Sequence, residues 1–158
     1  MDTKHSPSIE SDHQYFLNQA LKQANNAQNE DEVPIGAIIV NKANEIVSVG
    51  YNKKEGENNC TRHAEIIAIE RASEKISNWR LTGYTIYTTL EPCIMCAGAI
   101  VHARLEKVVY GAKDLKWGGH SSITNIFDLN LNHKTEAIYA QNELCSGILT
   151  NFFKKKRK

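Results

Sequence analysis

From Asp12 onward, apolar residues recur at helical spacing, at Phe16, Leu17, Ala20, Leu21, Ala24 and Ala27. This predicts a first helix with Ser11 or Asp12 as N-cap, ending near Asn29. The ten residues before it are polar, contain Pro7 and offer nothing to bury, so residues 1–10 are expected to be a disordered leader. After Glu32-Val33-Pro34 the period changes. Ile35 to Val40 is a short, β-branched apolar run, Asn41 to Asn44 supplies turn residues, and Ile46 to Tyr51 follows, which reads as a β-hairpin. A polar loop, Asn52 to Asn59, delivers the chain to Thr61 and His63. Ile66, Ile67, Ala68, Ile69, Ala72 and Ile76 then mark the buried face of a second helix reaching about Ser77.

Gly83 breaks the chain before Tyr84 to Thr89, a strand by composition that runs straight into Glu91-Pro92-Cys93. A helix over about Cys93 to Ala103 follows, with Ala97, Gly98 and Ala99 expected to let another backbone approach closely. Val108-Val109-Tyr110 is the next strand. Strand, helix, strand in this rhythm predicts a parallel pair with a right-handed crossover. Lys113 to Asn125 is polar and glycine-rich, and its lone Trp117 is expected to plug the loop by packing. Thr135 to Ala140 reads as the last strand. Asn142 to about Lys154 reads as the last helix, with Leu144, Ile148, Leu149, Phe152 and Phe153 on its apolar side. The whole predicts one α/β domain, residues 11–153, with helices on both faces of a five-stranded mixed sheet, three layers in all. A basic tail, 154–158, ends the chain.

Composition changes this picture little. At 158 residues with 41% hydrophobic and 23% charged positions, the chain has ample material for one core and none to spare for a second domain. The formal charge of +1 hides the run Lys154 to Lys158. Such a run is either a solvated end or a contact for nucleic acid. The polar N-terminus has no apolar signal region, and no apolar run reaches the ~18 residues of a membrane span. A cytoplasmic protein with no membrane partner is expected. In a reducing compartment, Cys60, Cys93, Cys96 and Cys145 point to metal or catalytic chemistry before disulfides.

Cys93 and Cys96, three apart, share one helical face if a helix begins at Pro92. His63 and Glu65 open the other amphipathic segment and could reach the same spot from a second helix end. Catalytic zinc takes three protein ligands and leaves its fourth position open. His63, Cys93 and Cys96 are such a set, with Glu65 close enough to act as acid and base without coordinating. A closed structural site would need a fourth ligand from Cys60, Cys145, His102 or His120. A thioredoxin-like redox pair is the other reading of Cys-x-x-Cys, but it has no use for His63-Ala64-Glu65.

His63-Ala64-Glu65 with Pro92-Cys93-Ile94-Met95-Cys96 resembles the signature of the zinc nucleobase and nucleoside deaminases. Glu32 to Ala37, Tyr51-Asn52, Asn78 to Leu81, Thr89 to Ala99 and Val108 to Ala112 resemble, more narrowly, the bacterial tRNA-specific adenosine deaminases. The likeness runs from about His13 to Phe153. It implies a cytidine-deaminase-like α/β/α fold and one zinc per subunit on His63, Cys93 and Cys96, with Glu65 as proton shuttle. It also implies that Asn52 and the backbone of Ala64 orient the purine and that Ile35 lines the base pocket. Asp114, Lys116 and the last helix near Phe153 would contact neighbouring nucleotides. The implied reaction is hydrolysis of adenosine to inosine at the wobble position of a tRNA anticodon loop, by a homodimer. This sequence departs from the family pattern at His120 and Ser121, and at Arg62, where a small residue is common. Other readings are a guanine or cytosine deaminase acting on a free base, and a non-catalytic zinc-stabilised RNA-binding module.

Overall fold

The hairpin run forms strand β1 (Gly36–Val40), and all five of its residues are buried. A strand with no solvent face must lie inside a sheet covered on both sides, and in the computed structural model, which describes residues 9–157, it does. Ala37 and Ile39 enter one core, while Ile38 and Val40 enter the other. β1 pairs antiparallel with β2 (Ile46–Tyr51) and β3 (Thr85–Thr88), and β3, β4 (Lys107–Tyr110) and β5 (Glu136–Tyr139) run parallel. The order is β2-β1-β3-β4-β5, the expected five-stranded mixed sheet.

Helices α2 (Ala64–Ile76) and α3 (Ile94–His102) cover the first core, with Ala68, Ala72, Ile100 and Val101 packed against Ile86 and Val108. Helix α1 (Ile9–Asn29) covers the second, setting Phe16, Leu17 and Ala20 on Tyr87 and Val109. Helix α4 (Glu143–Lys156) packs beside α1. Residues 1–8, most of the expected leader, and Lys158 lie outside the described residues; Ile9 and Glu10 already belong to α1.

Two glycines set how closely the helices approach. A Cβ on Gly36 would sit 2.2 Å from the Ala20 carbonyl oxygen of α1, and one on Gly50 would sit 2.6 Å from that of Ala64 in α2. Gly98 does not play this part: an added Cβ would meet nothing within 4 Å, because that face of α3 has no neighbour among the described residues. The apolar side of α4 is also narrower than its spacing predicted. Cys145 and Phe152, two turns apart, are buried, but Leu144 is 62% and Phe153 45% exposed. The basic tail is not separate from this helix, which continues through Lys156. Lysines favour helix and suit the negative end of its dipole, and Lys156 pairs with Asp31 at 2.8 Å on the surface.

The start of α2, the start of α3 and the carboxyl ends of β3 and β4 meet at one edge of the sheet. Ligands of open α/β sheets bind at such an edge. No helix among the described residues is long and apolar enough to cross a membrane.

Candidate metal centre and active site

Helices α2 and α3 begin in the same way. Their N-cap residues are His63 and Cys93, both extended, and neither side chain makes a capping hydrogen bond. The two side chains turn toward each other instead. His63 Nδ1 lies 3.6 Å from Cys93 Sγ and 3.5 Å from Cys96 Sγ. Pro92 stands just before the cap rather than in the first helical position, so Cys93 is directed by the cap and Cys96 by the first turn.

These distances suit a tetrahedral ion. With zinc–sulfur bonds of about 2.3 Å and zinc–nitrogen bonds of about 2.0–2.1 Å, the nitrogen-to-sulfur edge of a tetrahedron is about 3.6 Å. Among the described residues, His63, Cys93 and Cys96 form the one group whose ligand atoms converge, all within 4.8 Å of one another. None of the candidate fourth ligands joins it. Cys60 is exposed, Cys145 packs beneath Gly111, His102 is exposed at the end of α3, and His120 Nδ1 bonds the Tyr110 hydroxyl at 2.7 Å. Three side chains could therefore hold an ion, and none of the four candidate fourth ligands stands with them.

Glu65, in the first turn of α2, is buried beside this group. Loss of solvation, then the charge of Cys93, push its carboxyl up to about 7. A hydrogen bond from Cys96 pulls Cys93 down to about 4, whereas the same bond and burial hold Cys96 well above the ordinary thiol range. His63 is raised, first by its hydrogen bond with Cys93. Two sulfurs and a buried carboxylate that oppose one another's ionisation, with one imidazole between them, make a donor set that a dication would relieve.

The remaining predicted residues are in different states. Asn52 is buried, and its amide donates to the Val33 carbonyl at 3.2 Å and accepts from Lys54 N–H at 3.1 Å; its NH2 group carries a second N–H. Ile35 is half-buried, and its carbonyl accepts Asn52 N–H at 3.1 Å. Ala64 is fully buried as the first residue of α2. The Asp114 carboxylate is engaged within its own loop, accepting Lys116 N–H and Trp117 N–H at 3.1 and 3.2 Å, with Lys116 exposed. Phe153 stands edge-on to Phe152, three residues from the Lys156 pair with Asp31. Trp117 is 65% exposed and so is not a packing plug. Arg62 bridges Glu57 and Glu70 at 2.9 and 2.8 Å, clamping the loop just before His63.

Two carboxylates went unread in the sequence. Glu32, 2% exposed, accepts Glu55 N–H and Gly56 N–H from the loop before His63. Glu91, 1% exposed, accepts hydrogen bonds from the loop after β4. Burial pushes Glu91 up, but bonds from Ser122, Ser121, His120 and Asp114 outweigh it and hold the carboxyl below its ordinary value. The only sequence signal was an acidic residue at the end of a buried strand, where a charge needs a reason.

Comparison with known proteins agrees with this geometry. The family model for MafB19-like deaminases matches residues 11–157. A tRNA-specific adenosine deaminase of Aquifex aeolicus is 46% identical over 145 residues, covering 91% of this chain and 95% of that one. A solved structure from a study of A-to-I editing by tRNA:A34 deaminases at the wobble position of transfer RNA superposes with a TM-score of 0.81. It is 36% identical over 86% of this chain and 99% of the other. A guanine deaminase of Bacillus subtilis is more distant, at 30% identity and a TM-score of 0.61 over 92% and 94% of the two chains. A His/Cys/Cys group beside a buried glutamate, on this sheet and with these relatives, places the chain in the MafB19-like deaminase family, among the tRNA-specific adenosine deaminases.

Proposed function

We propose that the protein deaminates adenosine to inosine at the wobble position of a tRNA anticodon loop, in the cytoplasm. The observation that carries the reading is the convergence of His63 Nδ1 with the sulfurs of Cys93 and Cys96 beside buried Glu65. His63, Cys93 and Cys96 would hold one zinc. When bound, zinc acidifies a coordinated water to a pKa of roughly 7.

Glu65 is the proton carrier. Water adds its oxygen to C6 of the adenine, and Glu65 takes the released proton and delivers it to the ring nitrogen. Glu65 then carries the proton of the new C6 hydroxyl to N6, so that C6=O forms as the C6–N6 bond breaks and ammonia leaves. Burial suits Glu65 to this cycle, because a carboxylate poorly solvated in its ionised form gives and accepts protons readily near neutrality. The free N–H of Asn52, the first-turn backbone at Ala64 and the half-buried Ile35 line the side on which the purine would lie. Asp114, Lys116 and Phe153 take the flanking nucleotides. An anticodon loop is a fitting substrate, since its unpaired bases cost less to extrude than a stacked duplex base. The exposed face of α3, with Ile94, Met95 and open Gly98, supports a homodimer.

The test is inosine formation in an anticodon stem-loop RNA carrying adenosine at the wobble position, read by mass spectrometry after nuclease digestion. Glu65→Ala should lower the rate by about 10²–10⁴-fold while the protein keeps its zinc. Inosine at the wild-type rate in that variant would remove Glu65 from the mechanism. Likeness to the guanine deaminase favours one second reading. Conversion of free guanine to xanthine, with none of the stem-loop adenosine, would establish it instead.

A further inference from the structure

The loop between β4 and the short helical turn at Ile126–Asp128 contains no strand and only a sparse apolar interior, yet it closes into a defined shape. Its backbone converges on one side chain. Glu91 Oε2 accepts three successive N–H groups, from His120 at 3.0 Å, Ser121 at 2.9 Å and Ser122 at 3.2 Å. Glu91 Oε1 accepts Asp114 N–H at 3.1 Å and the Ser122 hydroxyl at 2.5 Å. Successive backbone N–H groups curled toward one point form a nest, an anion-binding concavity. Here the anion is part of the chain, and among the described residues no cation pairs with it.

The loop is shaped to admit this carboxylate. A Cβ on Gly118 would lie 2.3 Å from Glu91 Oε2 and 2.6 Å from the Asp114 carbonyl oxygen, so only glycine fits there. Gly119 N–H donates to the Pro92 carbonyl at 2.8 Å, and Gly118 forms a bridge with Cys93 itself. One end of Glu91 is therefore fixed beside the cysteine pair, while the other holds both ends of a loop that carries Asp114 and Lys116.

We propose that Glu91 is a positioning residue for substrate binding: it anchors the 114–122 loop at a set distance from the Cys93–Cys96 turn and so fixes the wall that meets the RNA. This rests on the reading that the protein deaminates an RNA adenosine and that this loop faces the flanking nucleotides. Glu91 stands outside the group of converging ligand atoms. In Glu91→Gln the NH2 group faces either the three N–H donors of His120, Ser121 and Ser122 or the N–H of Asp114, so in each orientation at least one buried bond is replaced by a donor–donor clash and the nest loosens.

The experiment uses zinc-loaded Glu91→Gln beside wild type, measuring zinc content, hydrogen exchange in peptides spanning 118–123, and steady-state kinetics on the anticodon stem-loop. Expected are wild-type zinc content, faster exchange confined to that loop, and a KM raised about tenfold, corresponding to ~1.4 kcal/mol, with kcat changed less than about threefold. Gly118→Ala, which forces the carboxylate and the loop apart from the other side, should reproduce this pattern and carries the same readouts if Glu91→Gln does not fold. Unchanged exchange overturns the proposal. So does zinc loss with a fall in kcat at constant KM, which would make Glu91 a support of the metal turn alone. If wild type itself does not act on the stem-loop, the functional reading fails, and the exchange measurement alone decides whether Glu91 anchors the loop.

Discussion

Replacing Gly50 with alanine should damage the active centre from outside it. Gly50 lies in β2, and a Cβ there would stand 2.6 Å from the Ala64 carbonyl oxygen and 2.8 Å from Ala68 N, both backbone atoms of α2 that no rotamer change can move. Ordinary contact begins near 3.4 Å, so the helix must retreat by the difference of 3.4 and 2.6 Å, about 0.8 Å. The displaced turn is the one that carries His63, Ala64 and Glu65. Overpacking of this kind typically costs about 1–3 kcal/mol. At about 2–4 °C per kcal/mol for a domain of this size, melting should fall by roughly 2–12 °C. A shift of about an ångström in a reacting group can cost about 10²-fold in rate, so Gly50→Ala should lose activity far beyond its loss of stability. Thermal melts of the zinc-loaded protein and inosine formation measured well below the melting temperature separate the two effects. A variant that melts within about a degree of wild type and deaminates at the same rate would refute the claim that α2 is seated on Gly50.

Gly147→Ala is the counterpart, since its Cβ would meet nothing within 4 Å inside α4. It should stabilise the protein by about 0.5–1 kcal/mol, and a lower melting temperature would refute that. Alkylation of the zinc-loaded protein at pH 8 should modify exposed Cys60 and spare Cys145, whose thiol burial pushes up to about 12. Only about one Cys145 thiol in 10⁴ is then ionised, and rapid loss of a second thiol in mass spectra would contradict the packing described. Chelating the metal should lower stability by about 4 kcal/mol where free zinc had stood ~1,000-fold above its Kd. Exchange should rise first in the opening turns of α2 and α3, and an unchanged melting curve would show that the ion and those turns are not coupled.

Much of the sheet was legible in the sequence because strands such as β1 and β2 are short β-branched runs bounded by turn residues. The convergence of α2 and α3 was legible for a different reason, as His63, Cys93 and Cys96 have one shared chemical use at that spacing. What the pattern did not reveal depends on neighbours distant in the chain. Trp117 is apolar by type, but a ring is buried only where distant parts of the chain cover it, and this one stays exposed. Leu144 and Phe153 follow helical period, yet α4 packs chiefly beside α1, and its buried stripe shrinks to Cys145 and Phe152. Gly98 looked like a close-packing site, whereas Gly36 and Gly50, inside strands, hold that role, because contact with a crossing backbone leaves no periodic mark. Glu32 and Glu91 were passed over for a related reason. A buried carboxylate that binds backbone N–H groups pairs with no side chain that sequence spacing could disclose.

Those two carboxylates also bear on ionic strength. Glu32 gathers the loop before His63 and Glu91 the loop after β4, both as buried carboxylates hydrogen-bonded to part-buried N–H groups and with no cation among the described residues. Mobile ions do little to interactions of that range and depth, although they weaken contacts between exposed charges about 10 Å apart at 0.1 M. Were Lys116 or the lysines of α4 to contact phosphates, those contacts would belong to the second kind and release counterions on binding. The cleft walls and the grip on the nucleic acid therefore respond to different conditions. Added salt should loosen the RNA while leaving the walls of the site in place, so a plot of log affinity against log salt would count phosphate contacts without a contribution from the collapse of the site.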